Sequence, residues 1–98
     1  MIMKKIELVI DAGFLPMVRN IIDKSGAKGF SVLNVLEGKG ETDGHKKAIP
    51  ELSSFEQYYV FVVCPKEEAD KLVDGLTPFI AEVGGVLFTS TIETYITK

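Results

Sequence analysis

The chain has 98 residues, of which 46% are apolar and 26% are charged, and 11 lysine and arginine against 14 aspartate and glutamate residues give a net charge of −3. This composition is typical of a small globular protein and excludes a fibrous or disordered chain. The negative balance disfavours nucleic-acid binding, which draws its affinity from cations along the phosphates. We expect one domain, residues 1–98, that associates with further copies because a core of this size is marginal.

Compartment and membrane contact follow from the apolar runs and the single cysteine. No run reaches the roughly 20 apolar residues that cross a bilayer. The segment Met1–Lys5 leads into alternating sequence and not into the apolar block of a signal peptide. One cysteine permits no disulfide within a chain, which agrees with a reducing compartment. We therefore expect a cytoplasmic protein with no membrane insertion.

The first half of the chain predicts a strand, a helix and a second strand. Apolar residues alternate over Lys4–Ile10, the period of a half-buried strand. Apolar residues then recur at helical spacing for about three turns, with Pro16 tolerated near the start and Gly26 providing a C-terminal stop. Phe30–Leu36 is rich in β-branched and apolar residues and predicts a second strand.

The second half predicts a strand, a helix and a strand after a long loop. Residues 37–56 hold three glycines and few large apolar side chains, and loops of this length are usually functional. Tyr58–Cys64 is almost continuously apolar, as expected of a strand in the middle of a sheet. A helix follows from about Glu67, and Pro78 is expected to end or kink it near Thr77, with a short extra turn beyond. Val86–Tyr95 predicts the last strand.

The order strand, helix, strand, strand, helix, strand is the split βαβ pattern. The sequence therefore predicts an α+β fold, a ferredoxin-like βαββαβ sandwich with an antiparallel sheet and the long loop between strands two and three. This architecture hosts many unrelated functions, so function has to be argued from particular residues.

Residues with catalytic or metal-binding chemistry are few. His45 has no second histidine or cysteine near it at metal-ligand spacing, so no metal site is expected. Cys64 ends the most apolar strand and is interpreted as a packing residue, and Arg19 as a surface residue. No catalytic residue is predicted, and the protein is not expected to be an enzyme. The acidic residues of the second helix are interpreted as a solvated face: Glu67, Glu68, Asp70 and Asp74.

Two glycine elements could approach a ligand closely. Gly38-Lys39-Gly40 opens the long loop and combines backbone N–H groups with a cation, while Gly84-Gly85 precedes the last strand. Each of these glycine patterns often occurs by chance, so neither alone indicates a ligand site. In a ferredoxin-like sheet, however, the end of strand two and the start of strand four can meet across a boundary between copies and form one cleft, whose glycines suit a flat base.

Three segments resemble the PII signal-transduction superfamily, and in particular its PII-like branch of carboxysome-associated and bicarbonate-transport-associated proteins. They are Met3–Glu7, Ile21–Val32 and Gly38–Gly40, and the likeness extends over nearly the whole chain. Members are ferredoxin-like homotrimers that bind adenine nucleotides in clefts between subunits and engage a target protein through the long loop, called the T-loop.

The resemblance implies particular site residues. The T-loop base would be lined by Ser31, Asn34, Gly38, Lys39 and Gly40, and the second wall, called the B-loop, by Gly84, Gly85, Val86 and Leu87. It also implies a partner-binding loop, in which Ile49, Leu52 and Phe55 contact a target such as a membrane transporter.

Departures from the nitrogen-sensing PII proteins alter the expected ligand. The long loop has no tyrosine, the B-loop has no basic residue, and Glu93-Thr94-Tyr95 stands where basic residues are expected. Each charge-assisted phosphate contact is worth about 1.5 to 3 kcal/mol. We therefore expect AMP, ADP or a cyclic nucleotide in preference to ATP, and no covalent cofactor.

Two other classes of protein share this fold. A CutA-type trimeric metal-responsive protein is the first alternative, and it requires additional His, Cys or Met ligands near the cleft. A small ferredoxin-like enzyme is the second, and it requires a clustered general base with an anion-binding arginine. A ligand screen with nucleotides, bicarbonate and metals discriminates among the three.

Overall fold

The computed structural model describes residues 1–36 and 56–95, so predictions that concern residues 37–55 and 96–98 lie outside the described residues. The four strands form one antiparallel sheet in the order β2-β3-β1-β4, which confirms the predicted fold and the central place of the third strand. The elements are β1 (Ile2–Asp11), a 3₁₀ turn (Ala12–Phe14), α1 (Leu15–Ser25), β2 (Ser31–Val35), β3 (Gln57–Cys64), α2 (Lys66–Val83) and β4 (Val86–Glu93).

Both helices cover one face of the sheet. Ile6, Leu8 and Ile10 of β1 are each no more than 2% exposed, and the alternating residues of β1 therefore lie on the other face. The helices close the core with apolar side chains at helical spacing. The buried residues that complete it are Val18, Ile22, Val60, Val62, Cys64, Ala69, Leu72, Leu76 and Phe79.

The end of α1 follows the sequence prediction. Gly26 takes a left-handed conformation with φ of 88° and donates its N–H to the carbonyl of Asp23, and Pro16 occupies the first turn. The buried hydroxyl of Ser25 bonds back to the carbonyl of Ile22 and accepts a hydrogen bond from the N–H of Ala27. These bonds end the helix before the segment that leads to β2.

The prediction that Pro78 ends α2 near Thr77 is wrong, because the helix continues to Val83. The alternative that Pro78 kinks the helix stays a prediction. Proline costs an interior helix about 3 kcal/mol. Burial of Phe79, which packs edge-on against Phe14 at a ring distance of 5.7 Å, offsets much of that cost. The hydroxyl of Thr77 also donates to the carbonyl of Val73 at 2.7 Å.

Two smaller sequence predictions, the end of β4 and the solvated face of α2, differ from the structure. β4 ends at Glu93 and not at Tyr95, whose side chain is 84% exposed. Glu68 is not part of a fully solvated face, because its Oε1 atom is enclosed where the first turn of α2 meets Gly26, whose Cβ position lies 3.6 Å from the Glu68 Cγ.

The face of the sheet without helices, which we call the open face, carries many apolar side chains. Leu33, Tyr59, Val9 and Val86 form a row across all four strands, with Leu33 51% and Val86 42% exposed. In the next row Phe88, 48% exposed, stands beside Glu7, and Lys5 and Asp11 of β1 lie on the same face in other rows. A contiguous apolar surface of this kind indicates an interaction site.

One end of the sheet gathers the segments that flank the long loop and the α2–β4 turn. The register places Asp11 opposite Gln57, Gln57 opposite Val35, and Val9 opposite Val86. We call this the loop-base end. The start of β1 and the end of β3 lie at the opposite end.

Candidate functional site

The predicted site residues that the structure describes lie on the two edge strands. Ser31 and Asn34 belong to β2, whereas Gly84 and Gly85 precede β4, and β3 and β1 separate the two edges. Three strand spacings of about 4.8 Å put these edges about 14 Å apart. One chain does not bring the residues together, so a shared cleft requires a second copy. Gly38, Lys39, Gly40, Ile49, Leu52 and Phe55 lie outside the described residues.

Ser31 and Asn34 lie on opposite faces of β2. Ser31 stands in register with Phe61 on the open face, whereas Asn34 stands in register with Tyr58 on the helix-covered face. Both residues are exposed. Only Ser31 can therefore face a ligand that lies against the open face, while Asn34 is available from the outer edge of β2.

The two glycines before β4 have different surroundings. Gly84 has φ of 87° and ψ of 178°, a region that side chains disfavour, and a Cβ there would meet no atom within 4 Å. Gly85 has φ of 115°, and a Cβ there would lie 2.7 Å from the carbonyl oxygen of Val9. Gly85 thus packs directly on β1, whereas Gly84 leaves open space above the backbone.

Val86 and Leu87 also point in opposite directions. Val86 belongs to the open face and is 42% exposed, whereas Leu87 packs against the buried core. Of the two, only the Val86 side chain is positioned to form an outer wall of a cleft beside the glycines.

The loop-base end is acidic in the part of the chain that the structure describes. Gln57 donates its side-chain amide to Asp11 Oδ1 at 3.2 Å, and the N–H of Ala12 bonds to the carbonyl of Glu56 at 2.9 Å. Glu82 lies in the last turn of α2 at the same end. The described basic residues lie towards the opposite end or on the helix surface: Lys4, Lys5, Arg19, Lys24, Lys28, Lys66 and Lys71.

Sequence reasoning missed a polar group on the open face. The Tyr59 hydroxyl donates to Glu7 Oε1 at 2.7 Å, Lys5 Nζ lies 3.9 Å from the same oxygen, and the ammonium is 5.1 Å from the Phe61 ring. The hydrogen bond to the carboxylate raises the pKa of the Tyr59 hydroxyl, with burial adding to it. The signal was available, since Lys5 and Glu7 interrupt the apolar positions of that face at period two.

The other residues with reactive or charged groups act structurally. Cys64 is 2% exposed, as predicted, and burial raises the pKa of its thiol, with the charge of Glu68 adding to it. Arg19 is a surface residue whose guanidinium lies 5.9 Å from the Phe30 ring. Within residues 1–36 and 56–95, no three His, Cys, Asp or Glu side chains are grouped to hold a metal ion.

A groove of about 430 Å³ lies between α2 and the edge formed by β1 and β4, on the helix-covered side. Its rim carries Lys4 and Lys66 beside Asp70 and Asp74. Lys66 is already paired with Asp70 at 2.8 Å, and Lys4 donates to the Thr91 hydroxyl at 2.9 Å. The groove is therefore separate from the predicted ligand residues. Among the helices described, none is long and apolar enough to span a bilayer.

The chain combines a ferredoxin-like fold with a glycine turn before β4 and an apolar open face. The family model described as nitrogen regulatory protein P-II matches residues 3–97. The chain belongs to this family, which confirms the resemblance seen in the sequence. Among curated protein sequences, no match to the chain is found.

Solved structures of PII-like proteins resemble the chain throughout. CPII of Thiomonas intermedia K12, bound to ADP and bicarbonate, is 25% identical with a TM-score of 0.75, over 94% of this chain and 87% of that one. CPII with ADP, AMP and acetate is 22% identical with a TM-score of 0.78, over 97% and 90% of the two chains. The GlnK–ATP complex of B. subtilis is 16% identical with a TM-score of 0.64, over 93% and 82%.

Proposed function

We propose that this protein is a non-enzymatic regulator that binds an adenine nucleotide in clefts between the subunits of a homotrimer. The observation that carries the proposal is the placement of the candidate ligand residues at opposite edges of one sheet, about 14 Å apart. A cleft whose two walls are formed by these sets needs two copies of the chain, because one copy presents them on opposite edges of its sheet. Membership in the P-II family and the ligands named for CPII support a nucleotide as that ligand.

The open face supports association between copies. Its row of Leu33, Tyr59, Val9 and Val86 extends from one edge strand to the other, so a neighbour packed on it also reaches both edges. Burying such apolar surface contributes about 25 cal/mol for each Å². The homotrimer thus uses the same face that aligns Ser31 of one copy with the glycine turn of the next.

The charge of the loop-base end favours nucleotides with few phosphates. Glu56 and Glu82 lie there, and no lysine or arginine of the described residues does. Lys39, outside the described residues, supplies the nearest cation by sequence. A triphosphate would meet more repulsion and fewer cations than a monophosphate, so AMP and ADP bind in preference to ATP, and a small anion such as bicarbonate binds with them.

The long loop carries the signal to a partner protein in this proposal. Ile49, Leu52 and Phe55, which lie outside the described residues, contact the target when the ligand is bound. A membrane transporter fits as the target, because the PII-like branch that the sequence resembles includes bicarbonate-transport-associated proteins.

Calorimetric titration with AMP, ADP, ATP, bicarbonate and zinc tests the proposal. We expect saturable binding of AMP or ADP, weaker binding of ATP, and no binding of zinc. Lys39→Ala weakens nucleotide binding by about 1 to 3 kcal/mol, whereas Arg19→Ala, whose side chain lies over Phe30, leaves it unchanged. Binding of the metal alone would instead favour the CutA-type alternative.

A further inference from the structure

The middle of the open face contains a polar group between apolar side chains, and a second polar pair, Asp11 with Gln57, lies at the loop-base end of the same face. Lys5 and Glu7 project from β1, and the Tyr59 hydroxyl of β3 bonds to Glu7 at 2.7 Å. The side chains of Lys5 and Glu7 are 31% and 23% exposed in the single chain, so they are already partly withdrawn from water. Leu33, Val86 and Phe88 around them are 42 to 51% exposed.

Covering this group with another subunit costs free energy. A buried ion pair is often less favourable than apolar side chains of the same size, because two charges lose their hydration. The Lys5–Glu7 separation of 3.9 Å is at the outer limit of an ion pair, so its own attraction offsets little of that loss. The group is therefore a poor source of affinity for whatever packs on the face.

The group formed by Lys5, Glu7 and Tyr59 can instead select one arrangement of the neighbour that packs on the open face. An apolar face with period-two alternation accepts neighbours in several registers, since side chains of similar size repeat along each strand. A polar group admits only those registers in which its remaining donors and acceptors are satisfied. Lys5 carries three N–H donors, and one of them interacts with the Tyr59 hydroxyl, so the other donors need acceptors on the neighbour.

We propose that Lys5, Glu7 and Tyr59 determine which arrangement of copies forms on the open face, and that the partner they recognise is a second copy of this chain. The inference rests on the proposed homotrimer. Lys5 and Glu7 place a positive and a negative charge on the same face. Symmetry-related copies that pack on this face can therefore bring opposite charges together without another partner. The ligand residues at both edges also require a neighbour across this face.

Native mass spectrometry and light scattering test the inference with two kinds of variant. Lys5→Met/Glu7→Leu/Tyr59→Phe removes the group and keeps the bulk, and we expect association of equal or greater strength but with a mixture of stoichiometries. Glu7→Gln leaves the lysine without its carboxylate, and we expect at least tenfold weaker association. Glu67→Gln on the exposed first turn of α2 is the matched control and should change nothing.

The outcomes separate this inference from the proposed function. A triple variant that forms only trimers, or a Glu7→Gln variant that associates like the wild type, contradicts the inference while leaving nucleotide binding by the wild type intact. A wild-type chain that stays monomeric contradicts the proposed function itself. Tyr59→Phe, which deletes only a partly exposed hydroxyl, provides a folded variant for the same measurement if the triple variant does not fold, and we expect mixed stoichiometries there as well.

Discussion

Substitution of Gly85 by alanine tests whether the α2–β4 turn is held against β1 by backbone packing. The added Cβ would lie 2.7 Å from the carbonyl oxygen of Val9 and 3.5 Å from Ile80 Cδ1. The first contact is with backbone in the centre of the sheet, which cannot rotate away. The turn has to shift by several tenths of an ångström, together with the first residue of β4.

The expected loss of stability has two parts, backbone strain and steric overlap, and Gly84→Ala measures the strain alone. Alanine at φ of 87° or 115° costs about 1 to 3 kcal/mol from backbone strain alone. At Gly84 this is the whole cost, because no atom lies within 4 Å of its Cβ position. At Gly85 the overlap adds about 1 to 3 kcal/mol. We therefore expect Gly85→Ala to be less stable than Gly84→Ala by at least about 1 kcal/mol.

Urea unfolding followed by circular dichroism, at one protein concentration for all variants, measures this difference. For a domain of this size 1 kcal/mol corresponds to roughly 4 to 8 °C in Tm, so thermal unfolding provides a second reading. If both variants lose the same stability, the contact with Val9 does not constrain the turn. If Gly85→Ala is as stable as the wild type, the geometry assigned to this turn is wrong.

The remaining predictions concern charge and pH. Glu82→Gln should strengthen ADP binding up to about fivefold more than AMP binding in calorimetry, since an additional phosphate charge interacts with an exposed carboxylate by up to about 1 kcal/mol; equal gains would place Glu82 away from the phosphates. Burial raises the pKa of the Cys64 thiol in the folded state above its ordinary value of 9.0. The stabilisation that comes from the protonated thiol is therefore fully present below that pH and is lost as the pH rises through the folded pKa. Urea unfolding should therefore show a steeper alkaline decline for the wild type than for Cys64→Ala, and identical slopes would contradict it.

Local signals predicted most of the fold. The alternation in β1 placed Ile6, Leu8 and Ile10 in the core, and Gly26 ended α1 as a left-handed residue. The predicted end of α2 at Pro78 was wrong because proline breaks a helix through local geometry, whereas Phe79 and the residues after it gain burial against α1 and the sheet. Tertiary packing outweighed a local rule there, and the sequence does not display the packing.

The candidate site was only partly predictable for a different reason. The glycine turn before β4 was found because its residue type reports the backbone conformation it adopts. The bonds of Tyr59 to Glu7 and of Gln57 to Asp11 join residues about 50 positions apart, and only the strand register brings them together. The acidic loop-base end likewise depends on which ends of the strands coincide.

The central claim is that nucleotide binds between copies of the chain and not to a single one. Native mass spectrometry of the protein with ADP tests it directly, because it counts chains and ligands in the same species. We predict trimers that carry up to three nucleotides, while any monomer in the same spectrum carries none. Monomers that bind ADP would contradict the account. Trimers that bind no ADP, even when the nucleotide is in large excess over the protein, would contradict it as well.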